Sequence, residues 1–530
     1  MRRWNGWGDD RIDYPLPETA VEYLAERIGS GDVSQDASLE SILDDVPASQ
    51  LPDHPLVKVD PFDRLKHARG QSLPDWVAMK TGKIGRYPDG VAYPAGNLDV
   101  HKLMRYVQDC QGNLIAYGGG TSVVGHINPG QTANPVLCVD LSQMNKLLDL
   151  DTVSHLATIE AGACGPEIER QLRQQGFTLG HYPQSFELST LGGWIATRSS
   201  GQQSYYYGRI EDLFAGGHLE SPVGSLDLPS LPASAAGPDL RQLVLGSEGR
   251  FGLITRAVVR VRLIPQFESF YGVFFHNWQD GMDAVRQIAQ EHLPVSMARL
   301  SNAQETETTL ILSGKTRLVN WADRGLCLLK YGPEKCLLVY GITGDEETHQ
   351  DARDRVGEVI RRTRGLDTGK TAGRAWQKSR FLSPYLRNTL WSAGYAIDTL
   401  ETALPWRKIP AAVDAITHTI RVCQENASER VLVLCHLSHI YQDGASIYVT
   451  YLFRRMPDPE QTLQQWKEMK SAASQAILTF GGTISHQHGV GSDHKPYLGA
   501  EKGSFGIEIL QKISRSFDPN GILNPGKLVD

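Results

Sequence analysis

The sequence predicts an α+β fold in two unlike parts, and three observations predict it. Between Val91 and Ile264, short apolar runs and helix-periodic stretches alternate, divided by glycine turns. Beyond Pro265, strand-like and helical segments take turns in a way that suits an antiparallel sheet with helices on one face. The chain has 530 residues, 41% hydrophobic and 21% charged. That balance fills several packed cores and argues against disorder.

The elements follow in order. Glu18 to Ile28 reads as a helix that Gly29 ends, and Val46 to Pro61, with four prolines, as an extended connection. Val100, Leu103, Met104 and Val107 recur at helical spacing, with Asp99 placed to cap that helix and Gly112 to stop it. Leu114-Ile115-Ala116 is a buried strand that runs into Tyr117-Gly118-Gly119-Gly120-Thr121-Ser122. Val136 to Val139 is a second strand and Ala157 to Glu160 a third. A helix then opens at Gly165-Pro166 and closes at Gly176, with proline just inside the start and glycine past the end. Another helix ends before Gly246-Ser247-Glu248-Gly249, and Ala257 to Ile264 alternates as a strand. In the second part, Ser269 to Phe275 and Ser296 to Leu300 are strands around a helix from Gln279 to Glu291. Cys336 to Ile342 and Glu347 to Arg362 repeat strand and helix. Val431 to His436 and Ser446 to Phe453 can pair as a hairpin, and Glu460 to Leu478 is a long helix.

Composition excludes several functions. With 53 Lys+Arg against 60 Asp+Glu the net charge is −7, so no basic excess exists to neutralise nucleic-acid phosphates. No apolar run approaches the ~18–20 residues that span a bilayer. Met1-Arg2-Arg3-Trp4 lacks the apolar core of a secretory signal. The seven cysteines contain no Cys-x-x-Cys pair, which fits free thiols in a reducing, cytoplasmic setting.

The 52 glycines matter by position. Three in a row after a buried strand leave backbone N–H groups able to form a nest for phosphate oxygens, and Thr121 and Ser122 add hydroxyls. Taken alone, such a run is as often a tight turn. Here it is joined by Ser189-Thr190-Leu191-Gly192-Gly193, by Thr197-Arg198-Ser199-Ser200-Gly201 with Tyr207-Gly208, and by Gly246-Ser247-Glu248-Gly249. None is a Gly-x-Gly-x-x-Gly opening a helix, and no P-loop pattern occurs.

In this order and spacing, these loops, with Glu160-Ala161-Gly162 and Gly252-Leu253-Ile254-Thr255, resemble the FAD-binding domain of the vanillyl-alcohol oxidase / p-cresol methylhydroxylase (PCMH) superfamily. That likeness covers about Asp89 to Ile264. A second likeness runs from end to end. Trp4-Asn5-Gly6-Trp7-Gly8, Arg64-x-x-His67-x-x-Gly70, Thr197-Arg198-x-Ser200-Gly201 and Ser485-His486-x-His488-Gly489-Val490-Gly491 are similar to the alkylglycerone-phosphate synthase family.

The resemblance implies a two-subdomain PCMH-type FAD-binding domain plus an α+β cap. The expected segments are an N-terminal extension (1–85), the FAD domain (86–265), a substrate-binding cap (266–470) and a C-terminal segment completing the flavin site (471–530). It implies non-covalent FAD, with His126 the conceivable tether if attachment were covalent. Tyr117, Gly118, Gly119, Gly120, Thr121 and Ser122 would hold the pyrophosphate. Ser189, Thr190, Gly192 and Gly193 would lie along the pyrophosphate and ring, with Gln184 and Ser185 also binding the cofactor. Thr197, Ser200, Gly201, Gly246, Glu248, Gly249, Gly252 and Ile254 would line the cofactor. The implied reaction exchanges the acyl group of an acyl-dihydroxyacetone phosphate for a fatty alcohol through a flavin N5 adduct, with no net redox change. Tyr448 matches the family's acid/base tyrosine, Arg387 and Arg299 its arginines, and His486 and His488 two of its three clustered histidines. The lipid-like anionic substrate implies a peripheral membrane contact, and the family implies a homodimer.

Rival readings stay open. His436, His439, His486 and His488 could supply metal ligands. However, Gln487 is a poor ligand where hydroxyacid dehydrogenases of the superfamily have Glu, and Tyr448 replaces their strand histidine, so no metal is expected. Gln184, Gln487 and His436 stand where the synthase family has Asp, His and Arg. The tail Asn524-Pro525-Gly526-Lys527 looks more like the hydroxyacid oxidoreductases. An FAD-linked oxidase or dehydrogenase of a 2-hydroxy acid or related alcohol is therefore the alternative, with a non-catalytic flavoprotein behind it.

Overall fold

Helix boundaries in the computed structural model follow the capping signals. The structure describes residues 2–312 and 325–530. The helix Glu18–Ile28 closes at Gly29, whose φ of 88° suits glycine. Asn97–Asp109 buries Val100, Leu103, Met104 and Val107 as the spacing requires, but its cap is Gly96. Asp99 sits one turn inside and accepts the Ala95 N–H at 3.2 Å. Gly112 turns the chain back, its N–H reaching Val107 O at 2.8 Å.

The first sheet runs Val57–Lys58, Gly90–Ala92, Val136–Asp140, Asn113–Tyr117, with parallel pairing among the last three. The second is antiparallel, in the order Leu147–Asp151, Leu156–Glu160, Leu253–Arg260, Phe214–Ser221, Gly224–Leu228. Helices Gly165–Arg173 and Leu191–Thr197 close a core on it that contains Ile159, Leu172, Trp194 and Val259. The strand expected from Ala257 already begins at Leu253. It stops at Arg260, and Arg262–Leu263 pair instead with Phe177–Thr178.

The third sheet has seven antiparallel strands. Their order is Leu366–Asp367, Phe267–Phe275, Cys336–Gly344, Met297–Ser301, Val431–Ile440, Gly444–Arg454, Tyr395–Pro405. Helices Trp278–Gln290, Glu346–Arg362, Ile409–Asn426 and Pro459–Thr479 pack Val285, Val356, Ile416 and Met469 onto Leu300, Leu338 and Ile447. Helices are not confined to this face. Lys370–Ser379 covers one edge of the other, with Ala372 and Trp376 against Phe270, Phe274, Leu337 and Val339. The strand Phe267–Phe275 is apolar on both sides, so both must be shielded. Helix Pro459–Thr479 runs through residue 470.

Segments near both ends of the chain bond to distant parts of it. Trp7 exchanges hydrogen bonds with the Asn388 amide at 3.0 Å each way. Asn524 N donates to Leu114 O at 2.8 Å, and its side-chain amide donates to the carbonyls of His126 and Glu248. Among the described residues no helix is long and apolar enough to cross a membrane.

Candidate functional site

The free part of the third sheet carries a polar row that strand register assembles. Side chains of one strand alternate between faces. Ala298 and Leu300 enter the helix-covered core, which puts Arg299 on the opposite face. His436 pairs with Tyr448, and Tyr448 with Glu401, across adjacent strands. His436, Tyr448 and Glu401 therefore lie side by side on three neighbouring strands, and Arg299, two residues from the Ser301 that pairs with His436, lies diagonally beside them on a fourth. The His436 ring stacks on Tyr448 at 4.9 Å, and His488 meets Tyr448 edge-on at 5.7 Å.

The histidine loop is held onto this row by two carboxylates. Glu401 is fully buried. Its Oε1 accepts the N–H of Gln487 at 2.6 Å and of His488 at 2.7 Å. Glu248 accepts Val490 N at 2.5 Å and Gly491 N at 2.9 Å. Predicted as a cofactor residue, Glu248 thus uses its carboxylate to fasten the loop. His126 sits between Ser122 Oγ at 2.8 Å and Glu248 at 3.2 Å.

The two arginines differ. Arg299 donates to Glu305 at 2.7 Å, and His436 Nδ1 is 3.0 Å from both Glu305 oxygens. Burial alone would raise the Glu305 carboxyl, but His436 and Arg299 outweigh it and hold it below the ordinary carboxylate range. Burial, aided by Arg299, lowers His436. The trio is thus an arginine–glutamate pair beside a neutral imidazole, and the Arg299 charge is already matched. Arg387 donates to the Gln71 carbonyl and lies 4.6 Å over the Trp76 ring. Its Nη2 is buried with no hydrogen-bond partner among the described residues. Burial lowers it to about 10, which leaves it cationic at neutral pH.

Tyr448 lies within the electrostatic reach of both arginines. Burial pushes its phenol well above the ordinary range, and Glu401 and Asp398 push the same way. A bond with Thr399 and the charge of Arg299 only partly offset this. Tyr448 is therefore a hydrogen-bond donor in the resting protein. Burial lowers His488 and, further still, His486, so both are neutral imidazoles.

The three glycine-rich loops meet. A Cβ on Gly118 would collide with the Thr190 hydroxyl, and one on Gly119 with the Leu188 carbonyl, so only glycine permits this approach. In the second loop, Thr190 caps helix Leu191–Thr197, Gly192 N donates to Ala161 O, and Ser189 Oγ takes the Trp194 indole N–H at 2.7 Å. Thr197 bonds back to Gly193 O. Gly201 packs on the Tyr182 backbone. The third loop is stitched to that helix by Gly246 N to Ile195 O and Glu248 N to Ala196 O, with Gly249 at φ 75° and Gly252 at φ 151°. Ile254 is buried in the strand that follows. Tyr117 is buried, its hydroxyl donating to Lys66 O. Gln184 reaches Ser383 across to the cap, and Ser185 O accepts from Ser189.

The fit to a dinucleotide is tested by the first loop. The backbone N–H groups of Gly118 to Val123 find no protein acceptor among the described residues. Most of these residues are partly open to solvent. A run of unpaired amides on a part-exposed loop suits the oxygens of a pyrophosphate. No group of three His, Cys, Asp or Glu among the described residues is arranged to hold a metal.

Sequence reasoning missed Glu401, Glu305 and Arg209. Glu401 lies in a strand that was not foreseen, Tyr395–Pro405, and a carboxylate there reads as a solvent-facing residue. Arg209 follows the flagged Tyr207-Gly208 pair and reaches the histidine loop, donating to His486 O at 2.9 Å.

Residues 88–226 match the FAD binding domain family and residues 264–528 the family described as FAD linked oxidases, C-terminal domain. An alkyldihydroxyacetonephosphate synthase of Trypanosoma brucei brucei is 30% identical, over 89% of this chain and 78% of its own. One from Dictyostelium discoideum is 28% identical over 99% and 93%. A solved structure of an alkyldihydroxyacetonephosphate synthase superimposes with a TM-score of 0.86 at 25% identity, covering 99% of each chain. The chain belongs to the alkyldihydroxyacetonephosphate synthase family of FAD-dependent enzymes.

Proposed function

We propose that the protein converts an acyl-dihydroxyacetone phosphate and a fatty alcohol into the alkyl ether and a free fatty acid. Carbon, oxygen and electrons balance without an oxidant. The observation that carries this reading is Tyr448, a protonated phenol at the centre of the polar row, with a buried, under-satisfied arginine nearby. Bound FAD supplies the nucleophilic centre for an exchange without net redox change. Gly118 to Ser122 hold its pyrophosphate, non-covalently. Arg387 grips the phosphate of the substrate, because Arg299 is already neutralised by Glu305. Tyr448 Oη is the group placed to hold or move a proton beside the reacting carbon of the substrate. His488, neutral, packs edge-on against the Tyr448 ring, and Thr399 bonds that hydroxyl. We also propose the segment borders 1–85, 86–265, 266–470 and 471–530, a peripheral membrane contact through which the lipid enters, a cytoplasmic location and a homodimer.

The test is incubation of the purified yellow protein with acyl-dihydroxyacetone phosphate and a labelled long-chain alcohol. Ether product with release of fatty acid is expected; absence of ether product overturns the reading. Acid precipitation should leave the yellow colour in the supernatant, whereas a coloured pellet would mean covalent flavin. A second reading, oxidation of a 2-hydroxy acid, is favoured by Gln184 and Gln487, which remove a charge and a proton carrier from the synthase pattern. Anaerobic bleaching of the flavin by a panel of 2-hydroxy acids would support it.

A further inference from the structure

We propose that Arg209 is a positioning residue that holds His486 as a neutral imidazole with its proton on Nδ1, presenting that N–H to an oxygen of the bound substrate or cofactor. The inference rests on the proposed site, but its test requires no turnover.

The argument is one of valence. A guanidinium carries donors and no acceptor. Arg209 Nη1 donates to His486 Nε2 at 3.2 Å, and the Tyr441 hydroxyl lies 2.6 Å from the same nitrogen. A ring nitrogen that accepts from a guanidinium carries no proton. The single proton of a neutral imidazole must then sit on Nδ1. The guanidinium cannot swing away. Its Nη2 donates to Arg198 O at 3.2 Å and His486 O at 2.9 Å, Nη1 also reaches Tyr441 Oη at 3.2 Å, and Nε lies 3.6 Å from Glu211. One side chain thus grips both the ring and the backbone of His486.

His486 Nδ1 is buried and has no hydrogen-bond partner among the described residues. The large majority of buried side-chain polar atoms have a hydrogen-bond partner. An unpaired N–H, held in place from the far side of the ring, is a donor awaiting an acceptor. The groups facing the ring are Arg209, Tyr441, His439 and His488. His439 stacks on it at 5.0 Å with its own Nδ1 turned to Ser200 and Ser204. Glu211 and Glu401 lie behind, the first on Arg209 and the second on the Gln487 and His488 amides. Burial first, then His439 and the Arg209 charge, keep a second proton off the ring.

The experiment is histidine-selective 15N NMR of the FAD-loaded protein, with the His486 signals assigned by His486→Gln. The wild type should show a protonated Nδ1 and a bare Nε2 that do not titrate from about pH 6 to 9. Arg209→Leu should lose that pattern, giving mixed tautomers or a ring that titrates, while Arg209→Lys should restore it. Adding dihydroxyacetone phosphate distinguishes the acceptor. A shift of the Nδ1 proton on addition marks a substrate oxygen, and a proton already shifted by FAD alone marks the cofactor. A wild-type His486 with its proton on Nε2, or an imidazolium, overturns the proposal, as does an unchanged pattern in Arg209→Leu. If Arg209→Leu fails to fold, the wild-type tautomer alone decides. Loss of ether synthesis with the tautomer as stated would sink the proposed reaction and leave this assignment standing.

Discussion

Replacing Glu401 by alanine should release the histidine loop from the sheet, and the size of the effect follows from its bonds. Oε1 is the acceptor for two backbone N–H groups at 2.6 and 2.7 Å, in a residue with no exposed surface. Leaving a buried donor unpaired costs about 1–3 kcal/mol, so two cost about 2–6. Part is returned, because Oε2 is itself buried without a hydrogen-bond partner and its desolvation disappears with the side chain. The net local loss is then about 2–4 kcal/mol. Glutamine keeps an acceptor of neutral strength and should lose only about 1–2 kcal/mol. A chain of this size need not unfold in one step, so a melting temperature is the wrong assay. Native-state hydrogen exchange on a peptide spanning residues 485–494 is the right one. At 1.4 kcal/mol per factor of ten, Glu401→Ala should reduce protection of that peptide about 30- to 1,000-fold, and Glu401→Gln about 5- to 30-fold. Protection within about threefold of wild type in the alanine variant would refute the claim that Glu401 anchors the loop.

Three other outcomes are expected. Tyr448→Phe keeps the ring against His436 and His488 but removes the hydroxyl. kcat should fall about 10²- to 10⁴-fold with FAD content unchanged, and unaltered turnover would remove Tyr448 from the chemistry. Gly119→Ala forces a methyl against the Leu188 carbonyl. A strain of about 1–3 kcal/mol on the loop should weaken FAD binding by about 5- to 100-fold in a fluorescence titration of the apoprotein, and a normal affinity would detach this loop from the cofactor. Asp493 is raised to about 6, first by burial, with Lys470 only partly opposing it. The folded state therefore prefers its protonated form, and that contribution is complete below the unfolded value of about 4 and lost as pH rises through 6. Asn mimics the protonated acid, so Asp493→Asn should match wild type near pH 4 and exceed it above pH 6 by at most about 3 kcal/mol. A pH-independent difference in hydrogen-exchange protection of the peptide spanning residues 485–494 would contradict this.

What the sequence made legible was local. Gly29, Pro166 and Gly112 mark helix ends by backbone geometry that needs no distant partner, and the structure places the ends beside them. The Gly118–Gly120 loop and Tyr448 were legible because their motifs are contiguous. Among the strands that were not, two are long. Phe214–Ser221 contains Gly216-Gly217, which weakens a strand on propensity. Glycine is needed there because a Cβ on either would meet a neighbouring carbonyl, that of Leu228 or Arg256. Tyr395–Pro405 carries Asp398 and Glu401, both buried. Their partners lie far along the chain: Lys470 and Trp466 for Asp398, and the Gln487 and His488 amides for Glu401. A carboxylate inside a strand reads as a solvent-facing residue until those partners are known. The Arg299–Glu305–His436 group was half legible. Arg299 was flagged, but the carboxylate that neutralises it lies on the following helix and became visible only in the fold.

The most direct measurement is product analysis under anaerobic conditions, with the FAD-loaded protein, acyl-dihydroxyacetone phosphate and a labelled fatty alcohol. The account predicts labelled ether lipid, one fatty acid released per ether formed, and a flavin that returns to its oxidised spectrum without oxygen. Absence of ether, together with stoichiometric bleaching of the flavin by a 2-hydroxy acid, would contradict it.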